Sequence, residues 1–127
     1  MRYFRVLVVG GLFLLAACSE DNAQYYRSHP KELQEVIKNC PDVHPKHINC
    51  DELAVVAQKV NFLAYQLQRD PQEFGNKILI AQEKLARHEA LLKKDKTKSS
   101  LFSQIQQEKQ QIVEYLAVVK WLESPEK

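Results

Sequence analysis

Apolar residues in this chain recur at three- and four-residue intervals, the spacing that puts side chains on one face of an α-helix. The longest stripe, Leu53, Val56, Val60, Leu63 and Leu67, predicts a helix from Asn49 to about Arg69. Asn49 and Glu52 have the spacing of a capping box, which satisfies backbone N–H groups left over in the first turn. Asp70-Pro71-Gln72-Glu73 repeats that start signal with a cap, a first-turn proline and a glutamate in order. The helix that follows is lined by Phe74, Ile78, Ala81, Leu85 and Leu92 and ends in a lysine-rich turn. Ser99 or Ser100 then caps a last helix. Along it Leu101, Ile105, Glu108, Ile112, Tyr115, Val119 and Leu122 form a seven-residue repeat in which only Glu108 is polar.

Upstream, a shorter helix is predicted to begin near Ser28-His29-Pro30, with Leu33, Val36 and Ile37 on one face. Cys40 lies near its end, where Pro41 stops it, and a polar loop continues to Asn49. Pro30, Glu32, Leu33 and Ile37 echo the spacing of Pro71, Glu73, Phe74 and Ile78, which shared helix-start grammar explains more simply than duplication. The chain has three glycines, two of them at Gly10 and Gly11 and the third at Gly75, so glycine-rich phosphate loops and tight hairpin turns are absent. The expected fold is all-α. It is a small helical bundle whose last two helices form a long antiparallel hairpin, completed by the Asn49–Arg69 helix, with the short first helix clipped on and Trp121 closing the base.

The first residues follow a different pattern. Arg2 and Arg5 precede an apolar run from Val6 to Leu15, too short for a permanent membrane span, and Leu15-Ala16-Ala17-Cys18 follows. This layout reads as a secretory signal, and its small residues before a cysteine resemble the lipobox of bacterial lipoproteins. The expectation is a signal peptide over residues 1–17, a lipidated tether over residues 18–27 beginning at an acylated Cys18, and a helical domain over residues 28–127. A soluble secreted form cut near Ala17, or a retained anchor helix, are the alternatives. Ser19, in place of the aspartate that retains enteric lipoproteins in the inner membrane, favours the outer membrane, facing the periplasm.

Charge changes once the signal is set aside. The full chain carries 18 Lys+Arg and 16 Asp+Glu; without Arg2 and Arg5 the two are equal. A balanced chain offers no general attraction for nucleic acid, and its one basic cluster, Lys93-Lys94-Asp95-Lys96-Thr97-Lys98, reads as a solvated turn between helices. Nothing suggests an enzyme. A nucleophile needs a neighbouring base and an orienting third group, whereas Ser19, Ser28, Ser99, Ser100, Ser103 and Ser124 sit at the tether, caps or polar faces. Glu83, Glu89, Glu108 and Glu114 read as solvated helix surface, His88 as a boundary residue and His29 as part of a helix start. No cofactor or small-molecule substrate is implied.

The chemistry with most content lies between Cys40 and Cys50. With Cys18 acylated, two cysteines remain, an even number in an oxidising compartment, and a disulfide joining them would tie the first helix to the second. Cys40, His44, His47 and Cys50 also form C-x3-H-x2-H-x2-C, four ligands of the type that zinc or copper selects. A thiolate metal site, or weak binding by His44 and His47 beside an intact disulfide, therefore stands as the alternative.

Tyr25-Tyr26, His29-Pro30-Lys31-Glu32-Leu33, Ile37, Asn39-Cys40 and Asn49-Cys50 with Ala54, together with the lipobox, resemble the core pattern of the entry-exclusion (EexN-type) lipoproteins of conjugative type IV secretion systems. The resemblance covers Cys18 to about Gln58. It implies a non-catalytic, membrane-anchored protein that limits redundant conjugative transfer by contacting an incoming transfer apparatus. The contact surface expected from it is Tyr25, Tyr26 and the Cys40–Cys50 loop. This loop is richer in His, Pro and Lys than the family's, and the helices from Asp70 to Glu123 extend past its usual short domain. A pilotin-like or assembly-helper lipoprotein of a secretion system, and a metal-handling periplasmic lipoprotein, are the competing classes.

Overall fold

A computed structural model describes residues 22–123, and these fold into five helices: α1 (Asn22–Arg27), α2 (Pro30–Lys38), α3 (Cys50–Arg69), α4 (Pro71–Lys94) and α5 (Ser99–Glu123). The described residues contain no strand, so the fold is all-α. The signal peptide and Cys18 lie outside the described residues. No helix among the described residues is long and apolar enough to cross a membrane.

Two helix starts form as their capping residues dictate, whereas His29 makes no side-chain cap bond to α2, and Ser99 and Ser100, expected to cap α5, lie within its first turn. Asn49 Oδ1 accepts the Glu52 backbone N–H at 2.8 Å, and Asp70 Oδ1 accepts that of Glu73 at 2.9 Å. Proline occupies the first turn of both α2 and α4, where no N–H is missed. Asp95 ends α4, and its carboxylate accepts the Thr97 N–H at 3.1 Å and the Thr97 hydroxyl. Those two bonds hold the Asp95 carboxyl below the usual range, with Lys98 adding a smaller effect in the same direction.

The α4–α5 hairpin is the most extensive helix pairing among the described residues, and α3 lies against both of its helices. One core cluster gathers Leu33 from α2; Leu53, Val56, Ala57, Val60, Leu63 and Ala64 from α3; Phe74 from α4; and Val118 from α5. Ile48 joins it from the loop and Tyr26 from α1. Leu101, Ile105 and Ile112 of α5 are buried outside that cluster. The seven-residue repeat of α5 therefore holds in its first half and changes in its second. There α2 and α3 approach from another side, and Val118, off the repeat, becomes fully buried. Trp121, half-buried, packs against the cluster edge near the end of α5.

The expected tether is corrected at its C-terminal part, because residues 22–27 form α1 and pack on α2 and α3. Only Ala23 and Tyr26 of this segment turn apolar surface inward. Two residues are too few to show a helical stripe in a sequence window, yet three residues apart they share one face of a turn.

Candidate functional site

The segment that carries the family resemblance folds into one unit built from α1, α2, the intercysteine loop and the start of α3. Cys40 and Cys50 are joined as a disulfide, with S–S 2.07 Å and Cα–Cα 6.0 Å. The bond links the residue just beyond α2 to the first residue of α3. Between them the chain is anchored by Ile48, which is almost fully buried. His44 Nδ1 donates to the carbonyls of Pro45 at 2.9 Å and Ile48 at 3.2 Å, folding the loop on itself. His44 and His47 are both exposed. With the sulfurs bonded to each other, no group of three or more potential metal ligands comes together among the described residues.

The two tyrosines separate. Tyr25 is 42% exposed and Tyr26 only 9%. The Tyr25 ring stacks on the His29 ring with centroids 3.9 Å apart, and its hydroxyl donates to Glu32. His29 Nδ1 donates back to the Tyr25 carbonyl at 2.7 Å, so the aromatic pair is held at both ring and backbone. Donation to Glu32 raises the Tyr25 hydroxyl above its ordinary pKa, since ionisation would remove the donor beside a carboxylate. Tyr26 is raised as well, first by burial and then by Glu32. The expected surface of two exposed tyrosines is thereby corrected: Tyr25 faces outward, and Tyr26 belongs to the core.

Beside Tyr25 lies a cleft of ≈ 270 Å³ between the start of α2 and the end of α5, lined by Ser28, His29, Pro30, Lys31, Glu32, Ala117, Lys120 and Trp121. It combines an indole and a proline with charges of both signs at the rim, which suits a polypeptide surface. Ser28 Oγ lies 3.2 Å from His29 Nδ1 at this cleft, and both groups also donate to the Tyr25 carbonyl, at 3.0 and 2.7 Å, which ties them to the turn between α1 and α2.

Two carboxylates expected on solvated faces are buried instead. Glu114 is 4% exposed, with Arg27 Nε at 3.3 Å and Lys59 Nζ at 3.5 Å from the same oxygen. The Arg27 contact is an ion pair without hydrogen-bond alignment. Glu108 accepts from His88 Nδ1 at 2.6 and 2.9 Å and lies 3.9 Å from Lys84. These groups, with Gln24 bonded to Gln110 at 2.8 Å, line an open polar groove along α5. The single polar place in the α5 repeat, Glu108, gave a sequence signal; Glu114 gave none, because its partner Arg27 sits on α1. The cations match the buried anions one element at a time, so these pairs fix how α1, α3 and α4 sit on α5. Burial of an ion pair is by itself weak support for stability.

Among known proteins, the chain matches no protein-family profile, no curated protein and no solved structure.

The split between the tyrosines has a measurable consequence. Tyr26→Ala is expected to destabilise the domain by about 3 kcal/mol, as for other large-to-small aromatic changes in cores. Tyr25→Ala is expected to cost less than about 1 kcal/mol, through the lost stack and the exposed hydrogen bond. Urea unfolding followed by circular dichroism separates the two, and equal losses would contradict the assignment of sides.

Proposed function

We propose that this protein is a non-catalytic bacterial lipoprotein, held by an acylated Cys18 at the envelope membrane, whose N-terminal helical unit docks a protein of a conjugative transfer apparatus and limits redundant transfer. The observation that carries this reading is structural convergence. Tyr25, His29, Glu32, Cys40 and Cys50, the residues that resemble the exclusion lipoproteins, lie in one disulfide-clipped unit, and the exposed Tyr25–His29 pair stands beside a cleft. The remaining helices bury that unit's inner side and hold it firm. Two or more acyl chains on Cys18 would make attachment nearly irreversible, at about 0.8 kcal/mol per buried methylene.

Labelled palmitate is expected to enter the wild-type chain and to be lost in Cys18→Ser, with the protein leaving the membrane fraction. Recipients producing the protein are expected to acquire the related conjugative element less often and unrelated elements at the ordinary frequency. Equal acquisition of the related element with and without the protein would overturn the exclusion role. The pilotin-like class would then lead.

A further inference from the structure

The far end of the α4–α5 hairpin carries a combination that the docking unit does not use. An open groove there is lined by Leu92, Phe102 and Ile105, with Lys93, Lys96 and Lys98 at its edge. Phe102 is 56% exposed and Leu92 beside it is half-buried. The one acidic residue of the turn, Asp95, is occupied with Thr97. Solvation alone explains lysines in a turn; it does not explain an exposed Phe102 ring beside Leu92 among them. Exposed apolar groups framed by lysines are the composition that rests in the boundary between lipid headgroups and acyl chains.

Chain direction points this end toward the anchor. Gln24 pairs with Gln110, Arg27 with Glu114, and residues 28–32 share a cleft with Ala117, Lys120 and Trp121. The chain thus runs alongside α5 in the same direction, away from the lysine-rich turn. Traced backward, it leaves α1 toward that turn. Gln24 is level with Gln110, so the start of α1 at Asn22 lies roughly 14 Å short of Ser99 along α5, at 1.5 Å per residue. The four steps from Cys18 to Asn22 span at most about 14 Å when extended. A leash of that length lets an acylated Cys18 hold the membrane surface as near as the level of the hairpin tip.

We infer that the α4–α5 tip docks on an anionic phospholipid surface, with Phe102 and Leu92 at the acyl boundary and Lys93, Lys96 and Lys98 on the headgroups. The inference rests on the Cys18 anchor proposed above. It makes the attachment two-point. The bundle then stands on the membrane by its tip, and the opposite end, with the Tyr25 cleft between α2 and the C-terminal part of α5, projects outward.

The test uses the full chain, processed and acylated in cells and reconstituted into vesicles. With Phe102→Trp in a Trp121→Phe background, the tip indole is expected to shift to shorter emission wavelength in phosphatidylglycerol vesicles and to be quenched by brominated lipid. It should remain solvent-exposed in phosphatidylcholine vesicles. Lys93→Gln with Lys96→Gln and Lys98→Gln should lower the ratio of docked to undocked tips about a hundredfold, and high salt should act in the same direction. Hydrogen exchange over residues 91–103 of the unsubstituted chain, slower on phosphatidylglycerol than on phosphatidylcholine, gives the same answer without reporter substitutions. An acylated chain whose tip is equally exposed and equally exchanging on both lipids overturns the inference and leaves the anchor standing; that result would assign the groove to a protein partner. A chain that takes up no palmitate overturns the anchor, and with it the leash that lets the tip reach the membrane.

Discussion

Phe74→Ala is expected to destabilise the domain by about 3–5 kcal/mol, the largest loss of any single substitution considered. Phe74 is the one residue of α4 that is fully buried, at 1% exposure. It sits one turn after the Asp70 cap, where α3 folds back into α4, and its ring meets Tyr115 of α5 edge to face at 5.5 Å. Removing it deletes the contact that joins three helices at that corner. On a domain of this size the loss corresponds to a fall in melting temperature of roughly 15–25 °C. Phe102→Ala, of identical chemistry at an exposed site, is expected to change stability by less than about 0.5 kcal/mol. Calorimetry on the two variants checks the contrast, and a fall of only a few degrees for Phe74→Ala would place the centre of the core elsewhere.

Loss of the Cys40–Cys50 bond is the second large effect. A loop of this length restricts the unfolded chain by about 2.5–3 kcal/mol through closure entropy, and Cys40→Ser with Cys50→Ser is expected to lower stability by that amount. The damage should be graded along the chain. α2 is nine residues long and contributes Pro30 and Leu33 as its buried residues, so without the bond it is held by Leu33 and by the half-buried Val36 and Ile37 at the core edge. Hydrogen exchange is therefore expected to rise in α1 and α2 well before α4 and α5. Non-reducing mass analysis should find the two cysteines linked. Free thiols with stoichiometric zinc would reverse the assignment and bring His44 and His47 forward as ligands.

The starts of α3 and α4 were legible because each begins with local chemistry that needs no tertiary help. Asn49 and Asp70 make the cap bonds that their spacing to Glu52 and Glu73 implies, and the stripe of α3 is the stripe that enters the core. Legibility stopped where burial depends on a distant partner. Glu114 looks like any surface glutamate until Arg27 and Lys59 are brought to it from α1 and α3. α1 itself was hidden because six residues carry too little periodicity to stand out from a polar tether. For the same reason Tyr25 and Tyr26 looked equivalent. One helical step of about 100° turns the first outward and the second into the core.

The most direct measurement of the proposed exclusion role is the frequency with which the related conjugative element enters recipients that produce wild-type protein, the Tyr25→Ala variant or neither. Tyr25 is exposed and stacks on His29, so Tyr25→Ala should be folded and membrane-bound while lacking the central aromatic of the docking unit. Wild-type protein is expected to lower transfer, and Tyr25→Ala is expected to restore it most of the way to the level of recipients without the protein. Equal transfer into all three recipients would contradict a docking role for this unit.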